Sequence, residues 1–461
     1  MKNQAENNQT PPDSPGFTSI DYVKVTILGF GLSALWASMH SIILPLRVLD
    51  FAPQGQENSY LGYLTFAGLV VAMLVQPVVG AISDRSRFSW GRRRPYILVG
   101  SLALLLFLPG IGLWENYAAV FICYCLMQVA SNTAQGPYQG LIPDLVPAEK
   151  RGLASGVKSL LEMVGGVSLA RLAAYFMDQY TPGEGGYWLW LTLGTLGTAF
   201  LITSLVTLIT VREQPGTGRR VAVPPNARER PEHGGSVATM LMNQLTDEPI
   251  HSIAILLVNP FKRLLANIKQ HRSFFWFLVS RGLLGMPGVI LQTFALYYLT
   301  YVIGVENPAS AAGNLLIVVG AALIAIVYFA GRLSDRIGRK PIMVTSGLVG
   351  AVGIVLLYLS DSYAQVLLSG AFIGLASGAF LSTSWAMATD LAAEGEEAKY
   401  LGLTNLAMAA GSALARLIGP VIDFFNNPET NTYTGYSVML LACFLCFIVG
   451  SLLVLKVRGV R

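Results

Sequence analysis

The stretch GAISDRSRFSWGRRRP at residues 80–95 recurs in a shorter form, GRLSDRIGRKP, at residues 331–341. Each copy follows a long apolar run and has Asp-Arg four residues after a glycine, then Gly-Arg, and then a proline. The matched residues are Gly80, Asp84, Arg85, Gly91, Arg92 and Pro95 in the first copy, and Gly331, Asp335, Arg336, Gly338, Arg339 and Pro341 in the second. A loop repeated in this way predicts a chain of two similar halves.

A second set of matches supports the same repeat. The dipeptide Asp-Leu at 144–145 recurs at 390–391, and the tetrapeptide LARL at 169–172 recurs at 414–417. In both copies an aspartate follows the LARL arginine by seven residues, two helical turns along one face. These pairs are Arg171 with Asp178 and Arg416 with Asp423. One interpretation is an arginine near the outer interface with the aspartate as its local partner; the other is a functional arginine.

The composition excludes a soluble protein. Of the 461 residues, 53% are apolar and only 12% are charged, whereas a soluble domain has about 25% charged residues. A membrane-spanning helix uses roughly 20 mostly apolar residues, so the chain has enough for on the order of twelve spans. The four cysteines lie in apolar runs and predict neither a metal site nor a disulfide framework.

The apolar runs predict an all-α membrane protein with twelve transmembrane helices in two parallel-repeated six-helix halves. The predicted spans are 25–48, 60–82, 95–114, 117–142, 153–177 and 187–211 in the first half, and 273–300, 309–333, 341–359, 363–389, 400–424 and 434–457 in the second. The predicted domains are an N-terminal tail at 1–24, one half at 25–211, a polar linker at 212–272, the other half at 273–457 and a tail at 458–461.

The distribution of positive charge predicts the orientation in the membrane. Counted loop by loop, 26 of the 31 Lys and Arg residues fall on one side of the predicted spans, and only Arg47 falls on the other. Because cytoplasmic loops carry an excess of Lys and Arg, both termini and the linker are predicted to be cytoplasmic, in a multi-pass protein of the cell membrane. The net charge of +5 reflects this topology and does not indicate nucleic-acid binding.

The repeated loop resembles the signature of the major facilitator superfamily, G-x-x-x-D-R-x-G-R-R after the second span. The expanded form SDRSRFSWGRRRPYI, together with NTAQGPYQGLIPDL at 132–145, is similar to the sucrose/proton symporters of plants and their bacterial and animal relatives, within the glycoside-pentoside-hexuronide:cation symporter group. The resemblance implies a secondary active transporter that works by alternating access, a symporter of a proton and a small polar solute such as a sugar or glycoside.

The chain also departs from this group. The plant proteins have an arginine at the place of Gln139 and an acidic pair near the place of 292–294, and this chain has neither. The resemblance therefore leaves the identity of the solute open. The second span has no acidic residue before Asp84, whereas the sodium-coupled melibiose permeases of the group have aspartates there, and so protons are favoured over sodium.

The charged residues of the repeated loops are predicted to form a cytoplasmic gate. A carboxylate there can accept hydrogen bonds from an arginine and face the positive amino-terminal end of a helix of the other half when this side is closed. The resemblance implies this latch role, and the alternative is that the arginines only fix topology. The predicted gate residues are Asp84, Arg85, Arg92, Arg93, Asp335, Arg336, Arg339 and Asp390.

Three groups are candidates for proton coupling, since a charge inside a span is costly unless it is paired or hydrated. Glu162 lies close to mid-membrane in the fifth span, one turn from Lys158, and the two can pair. For Asp144, the resemblance implies a role in proton coupling. The alternative is that Asp144 is a second latch residue. His40 titrates near the working pH range, and a hydrogen-bonded structural histidine is its alternative.

The candidate substrate-binding residues are amides, indoles and cations inside the spans. Amides suit hydroxyl groups, an indole face suits a sugar ring, and an intramembrane arginine needs a partner on another helix or on a substrate. The alternative for the amides is interhelical hydrogen bonding. The candidates are Asn132, Gln135, Gln139, Trp36, Arg281, Gln292, Trp385 and Lys158.

Other classes of function are less consistent with the sequence. An enzyme is not expected, because no nucleotide-binding loop precedes a helix and no metal-spaced cluster occurs; no cofactor is predicted. The alternatives that stay open are a transporter of an amphipathic or lipid-like solute, an exporter, and a sensor without flux. The expected partners are the solute, the proton and the lipid bilayer, and the expected state is a monomer.

Overall fold

The computed structural model describes residues 18–86, 88–181, 186–213, 272–392 and 397–458. This part of the chain contains twelve helices that are long and apolar enough to cross a membrane. They are α1 Ser19–Val48, α2 Glu57–Arg85, α3 Arg94–Leu113, α4 Tyr117–Leu145, α5 Arg151–Met177 and α6 Tyr187–Thr210, then α7 Arg272–Ile303, α8 Pro308–Ile337, α9 Arg339–Tyr358, α10 Tyr363–Asp390, α11 Tyr400–Phe425 and α12 Thr434–Leu455.

The twelve predicted spans are therefore confirmed. The first helix begins at Ser19, earlier than the predicted span, because the polar residues before 25 already form its first turn. Residues 1–17 of the predicted tail and 214–271 of the predicted linker lie outside the described residues. Between α11 and α12 a short antiparallel hairpin pairs β1 Asn426–Asn427 with β2 Thr432–Tyr433.

Several of the long helices are not regular α-helices over their whole length. The first helix of each half contains one π-helical segment, Met39–Ile43 in α1 and Leu299–Ile303 in α7. Such segments are frequent at functional sites. Helix α11 is broken between Arg416 and Gly419, where Pro420 lacks the N–H that an uninterrupted helix would need.

Small residues let helices of one half approach closely. In α10, Gly370, Gly374 and Gly378 all face α8, and a Cβ atom on Gly378 would lie 2.6 Å from the Leu323 carbonyl oxygen. Lipid tails are as apolar as leucine, so such contacts must come from close packing rather than from a hydrophobic driving force.

The two ends of the bundle differ in how the halves meet. We call the end with the loop 86–93, the start of α1 and the end of α12 the basic side, and the other end the distal side. Among the described residues, every hydrogen bond between the halves lies in the distal part, for example Tyr297 OH donating to the Pro45 carbonyl at 2.7 Å. On the basic side, the ion pairs of the described residues join groups of the same half.

Candidate functional site

Helices α1 and α4 share a network of polar side chains near the middle of the bundle. Trp36 Nε1 donates to Ser131 Oγ at 2.8 Å, and His40 Nε2 lies 2.9 Å from the Tyr124 hydroxyl. The Trp36 and His40 rings stack with centroids 5.2 Å apart, because they lie one turn apart on α1. The π-helical segment that begins at Met39 contains the histidine.

The network continues along α4 through its amides. Gln128 Nε2 donates to the Tyr124 hydroxyl at 3.0 Å, and Asn132 Nδ2 donates to Gln128 Oε1 at 3.2 Å. Of the predicted amide stripe, Asn132 is buried in this network. Gln135 is half-buried and Gln139 is exposed, and neither makes a hydrogen bond with a described residue.

A second polar group joins α1, α4 and α5. Lys158 Nζ lies 3.5 Å from Glu162 Oε1, as their spacing predicts, and 5.6 Å from the centroid of the Tyr138 ring. The Tyr138 hydroxyl accepts from the Gly29 backbone N–H at 3.0 Å. Glu162 packs against the same glycine, where a Cβ atom would lie 2.9 Å from its Cγ.

Three of the predicted substrate-binding residues lie in the second half. Arg281 and Trp385 lie close together, and Gln292 has other neighbours. Arg281 of α7 donates to Ser384 Oγ at 2.5 Å, and its guanidinium lies 5.7 Å from the centroid of the Trp385 ring. Gln292 donates to Ser41 Oγ across the halves at 3.3 Å. Gln292 also lines a cavity of about 100 Å³ between α7, α8 and α10, whose walls are mainly apolar.

Arg416 ends the first helical piece of α11 and is buried. Its Nη1 donates to the carbonyl of Ser412 on its own helix at 2.8 Å. Its backbone carbonyl packs against α2 of the first half, where a Cβ atom on Gly62 would lie 2.5 Å from it. The sequence alternative of a local pair with Asp423 is wrong, because that aspartate contacts α2 instead.

The predicted gate residues form two similar clusters on the basic side. In the first half, Arg93 lies between two carboxylates: its Nη2 is 2.8 Å from Asp84 Oδ1 and its Nε bonds Asp144. Arg92 also bonds Asp144. The hydrogen bond to Asp144 and the negative charge of that residue raise the pKa of Arg92, which lies in the loop. The geometry thus groups Asp144 with the gate residues, and its role in proton coupling stays a prediction.

In the second half, Arg339 takes the same position between Asp335 and Asp390. Like Arg93, it precedes a proline by two residues and reaches the serine before the first aspartate of its motif. The structural counterpart of Arg339 is therefore Arg93. The sequence match with Arg92 is wrong by one residue, because the first loop has an additional arginine before its proline.

The remaining two gate candidates have no partner in the clusters. Arg85 and Arg336 are exposed and bond no residue in the described ranges. Both loops turn at a glycine with positive φ, 122° at Gly91 and 103° at Gly338, a conformation that side chains rarely adopt. The glycine of the motif is thus needed for the turn that returns the arginine to the carboxylates.

Two repeat-related aspartates join the halves on the distal side. Asp178, after α5, accepts from the backbone N–H groups of Ala309 and Ser310 at the start of α8, at 3.0 and 3.1 Å. Asp423 of α11 accepts from the Ser59 N–H at the start of α2 at 2.6 Å. Each aspartate meets the positive end of a helix of the other half. The spacing from the LARL arginines was visible in the sequence, but the partner helices were not.

Sequence analysis missed several polar residues of the central clusters. They are Tyr124, Gln128, Ser131, Tyr138 and Ser384. A signal for two of them was present, because Tyr124, Gln128 and Asn132 recur every four residues on one face of α4. Ser384 gave no signal, since a serine inside a span usually bonds its own helix backbone.

Known families match both halves of the chain. Residues 306–460 match the family described as Major Facilitator Superfamily, and residues 33–255 match the one described as MFS/sugar transport protein. A sucrose transport protein of Arabidopsis thaliana is 27% identical over 221 residues, which are 41% of this chain and 36% of that protein, so the match spans well under two thirds of its length. One of Oryza sativa subsp. indica is 22% identical over 93% of this chain and 86% of its own length.

Solved transporters have the same fold. A D-xylose-proton symporter superposes with a TM-score of 0.68 at 16% identity, covering 96% of this chain and 98% of that one. A nucleoside transporter gives a TM-score of 0.69 at 14% identity, covering 95% and 99%. The twelve helices make the chain a multi-pass membrane protein, and its relatives are transporters rather than enzymes. With a matching family in each half and a shared fold over nearly its whole length, the chain belongs to the major facilitator superfamily.

Proposed function

We propose that this protein is a secondary active transporter that moves a small polar solute together with a proton by alternating access. The observation that carries the proposal is the network of Trp36, His40, Tyr124, Gln128 and Asn132 on α1 and α4. Amide and hydroxyl groups in the middle of a bundle can exchange their mutual hydrogen bonds for bonds to a hydroxyl-rich solute. The indole of Trp36 offers an apolar face to the same solute.

Glu162 is the proposed proton carrier. Within the described part of the chain its one ion pair is with Lys158, at the rather long separation of 3.5 Å, and its side chain is 32% exposed. A carboxylate that is weakly paired and partly exposed can take up and release a proton as the site changes sides. His40, in direct contact with Tyr124, and Asp144, in the gate cluster, are the further candidates.

The contacts between the halves support an assignment of the conformation. Hydrogen bonds join the halves on the distal side and the described ion pairs of the basic side stay within each half. With the basic side in the cytoplasm, this is the state that is open to the cytoplasm. Transport would then require the Asp178 and Asp423 contacts to break while the clusters around Arg93 and Arg339 approach the other half. The protein would do this as a monomer and without a cofactor.

The experiment is solute-driven proton flux in proteoliposomes loaded with a pH-sensitive dye. Sugars, glycosides and other polar metabolites are added outside, and the expected result is acidification of the lumen with one class of solute. Glu162→Gln should reduce this signal to less than about a tenth, while solute-induced thermal stabilisation of the purified protein remains. Glu306→Gln is the matched control, because Glu306 is exposed in the loop before α8.

Two results would contradict the proposal. Full proton flux in Glu162→Gln would remove this residue from coupling. No flux and no thermal stabilisation with any polar solute would remove the function itself, and would favour an amphipathic solute or a sensor.

A further inference from the structure

The first turn of α2 places a buried carboxyl group at the distal junction between the halves. Glu57 and Asn58 are 6% and 0% exposed. Groups of the second half enclose this turn. Asn58 Nδ2 donates to Asp423 Oδ1 at 2.8 Å, and Gly419 leaves no space for a Cβ atom against the Asn58 carbonyl. The Tyr301 hydroxyl of α7 is a hydrogen-bonding neighbour of the Glu57 carboxyl group. Separation of the halves on this side would therefore expose Glu57 to water.

Glu57 and Asp423 lie at the same junction, and neither forms an ion pair with a described residue. Asp423 accepts from the Ser59 N–H at 2.6 Å as well as from Asn58. These donors, at the positive end of α2, suit a negative charge on Asp423. A second negative charge in the same place is costly, and a buried carboxylate without a cation neutralises by binding a proton.

Two arginines of the distal part do not balance this pair of carboxyl groups. Arg416 precedes Asp423 by seven residues, about 10 Å of helix, and its Nη1 reaches back to the Ser412 carbonyl at 2.8 Å. Arg47, at the end of α1, is paired with Asp50. Tyrosines also surround the first turn of α2 and are neutral below about pH 10. They are Tyr117, Tyr297, Tyr301, Tyr433 and Tyr436.

The repeat-related junction at the start of α8 has a different charge balance. In the repeat, the position of Glu57 is taken by Pro308. Asp178 accepts from the Ser310 N–H at 3.1 Å, and Arg171 donates to the Ser310 hydroxyl at 3.2 Å. Among the described residues, this junction thus combines one carboxylate with an arginine, whereas the junction at α2 combines two carboxyl groups.

We propose that Glu57 binds a proton when the distal side closes and releases it when this side opens. Closure takes up one proton from the distal solution and converts the carboxylate to a carboxylic acid, whose O–H can donate to Tyr301. Because Glu57 lies at the distal end of α2, the proton returns to the side from which it came. Glu57 thus makes closure sensitive to the pH on the distal side. This site is separate from the proposed carrier Glu162 and goes beyond the proposed function.

Spin labels measure closure against pH without any solute. One label is placed in each half, at the exposed distal residues Glu115 and Ser362 of a cysteine-free protein. The Asp178→Asn substitution weakens the other distal junction, so that open and closed molecules are both present. Uptake of one proton changes the ratio of open to closed molecules by up to about tenfold per pH unit. We expect the open population to grow as the pH rises from about 5 to about 9.

Two substitutions in this labelled protein test the role of Glu57. Glu57→Gln has no charge at any pH, and we expect it to stay closed, with a ratio that changes less than twofold over the same range. Glu429→Gln is the matched control and should keep the full pH response, because Glu429 is an exposed carboxylate of the distal hairpin. A distribution that does not change with pH before these substitutions, or a full pH response in Glu57→Gln, would overturn the proposal.

The number of protons moved per solute separates this proton from the transported one. In the transport assay, Glu57→Gln should lower the rate and keep the ratio of protons to solute. Solute uptake without proton movement in Glu57→Gln would make this residue the carrier and overturn the return of its proton to the distal side. Absence of transport with every solute would overturn the proposed function, and the spin-label experiment would still test the proton site.

Discussion

Arg93 shows how much one residue of the repeated loop contributes. It is largely buried and connects carboxylates from the ends of α2 and α4, so it fixes the start of α3 against both. Hydrogen bonds between charged groups contribute about 1.5–3 kcal/mol each. Arg85, the last residue of α2, is eight residues earlier in the same motif and has no such partner among the described residues. The motif therefore contains arginines that bond carboxylates, such as Arg93, and arginines without such a bond among the described residues, such as Arg85.

The two arginines give a matched pair of substitutions. We expect Arg93→Gln to lower both transport and the melting temperature, since Asp84 loses its ion-pair partner and Asp144 loses one of its two. Arg85→Gln removes the same charge from the same motif, and we expect the free energy of unfolding of this variant to change by less than about 0.5 kcal/mol. Transport assays and thermal melts of the two purified variants check this. Equal effects would mean that the arginines act only through topology.

At the scale of elements, close packing of α10 on α8 builds the second half. Gly378 faces the backbone of α8, with no space for a Cβ atom. Elsewhere a glycine in a span has no such role: a Cβ atom on Gly194 of α6 would meet nothing within 4 Å. The GxxxGxxxG spacing was visible in the sequence, and the structure shows that it serves contacts within one half.

Alanine at these two glycines separates packing from helix propensity. We expect Gly378→Ala to destabilise the protein by about 1–3 kcal/mol, because the added methyl group forces the helices apart. Gly194→Ala should be neutral or more stable by up to about 1 kcal/mol, since alanine favours the helix. Thermal unfolding in one detergent measures both. A neutral Gly378→Ala would show that α8 and α10 are not packed as closely as described.

At the scale of the whole molecule, two aspartates connect the halves across the repeat. Asp178 caps α8 and Asp423 caps α2, and each uses the positive end of a helix in the other half. These contacts belong to the state in which the distal side is closed. Their loss should therefore shift the population toward an open distal side.

Spin labels on the distal loops measure that shift. Labels at Gln54 and Thr430 of a cysteine-free variant lie on facing loops of the two halves, where Gly55 approaches Pro428. We expect the double substitution Asp178→Asn and Asp423→Asn to add a second, longer distance between the two labels. Each 1.4 kcal/mol of stabilisation that the closed distal side loses should raise the ratio of open to closed molecules about tenfold. Asp361→Asn, on an exposed distal loop, should leave the distribution unchanged. A single short distance in the double variant would contradict the role of the aspartates.

The sequence by itself determined the twelve spans, the repeat and the residues of the two basic-side clusters. Span lengths follow from the bilayer thickness, and the repeated loops identify their own members, such as Asp84 and Asp335. It also predicted the Lys158 and Glu162 pair, because residues four apart on a helix are neighbours.

Only the tertiary structure decided which groups on different helices meet. Tyr124 reaches His40, Arg281 reaches Ser384, and Asp178 reaches α8 rather than Arg171. Such partners are far apart along the chain, and their contact depends on the crossing and rotation of whole helices. Hydropathy and spacing do not encode those quantities. For the same reason, the different surroundings of Arg171 and Arg416, identical in their local sequence LARL, became visible only in three dimensions.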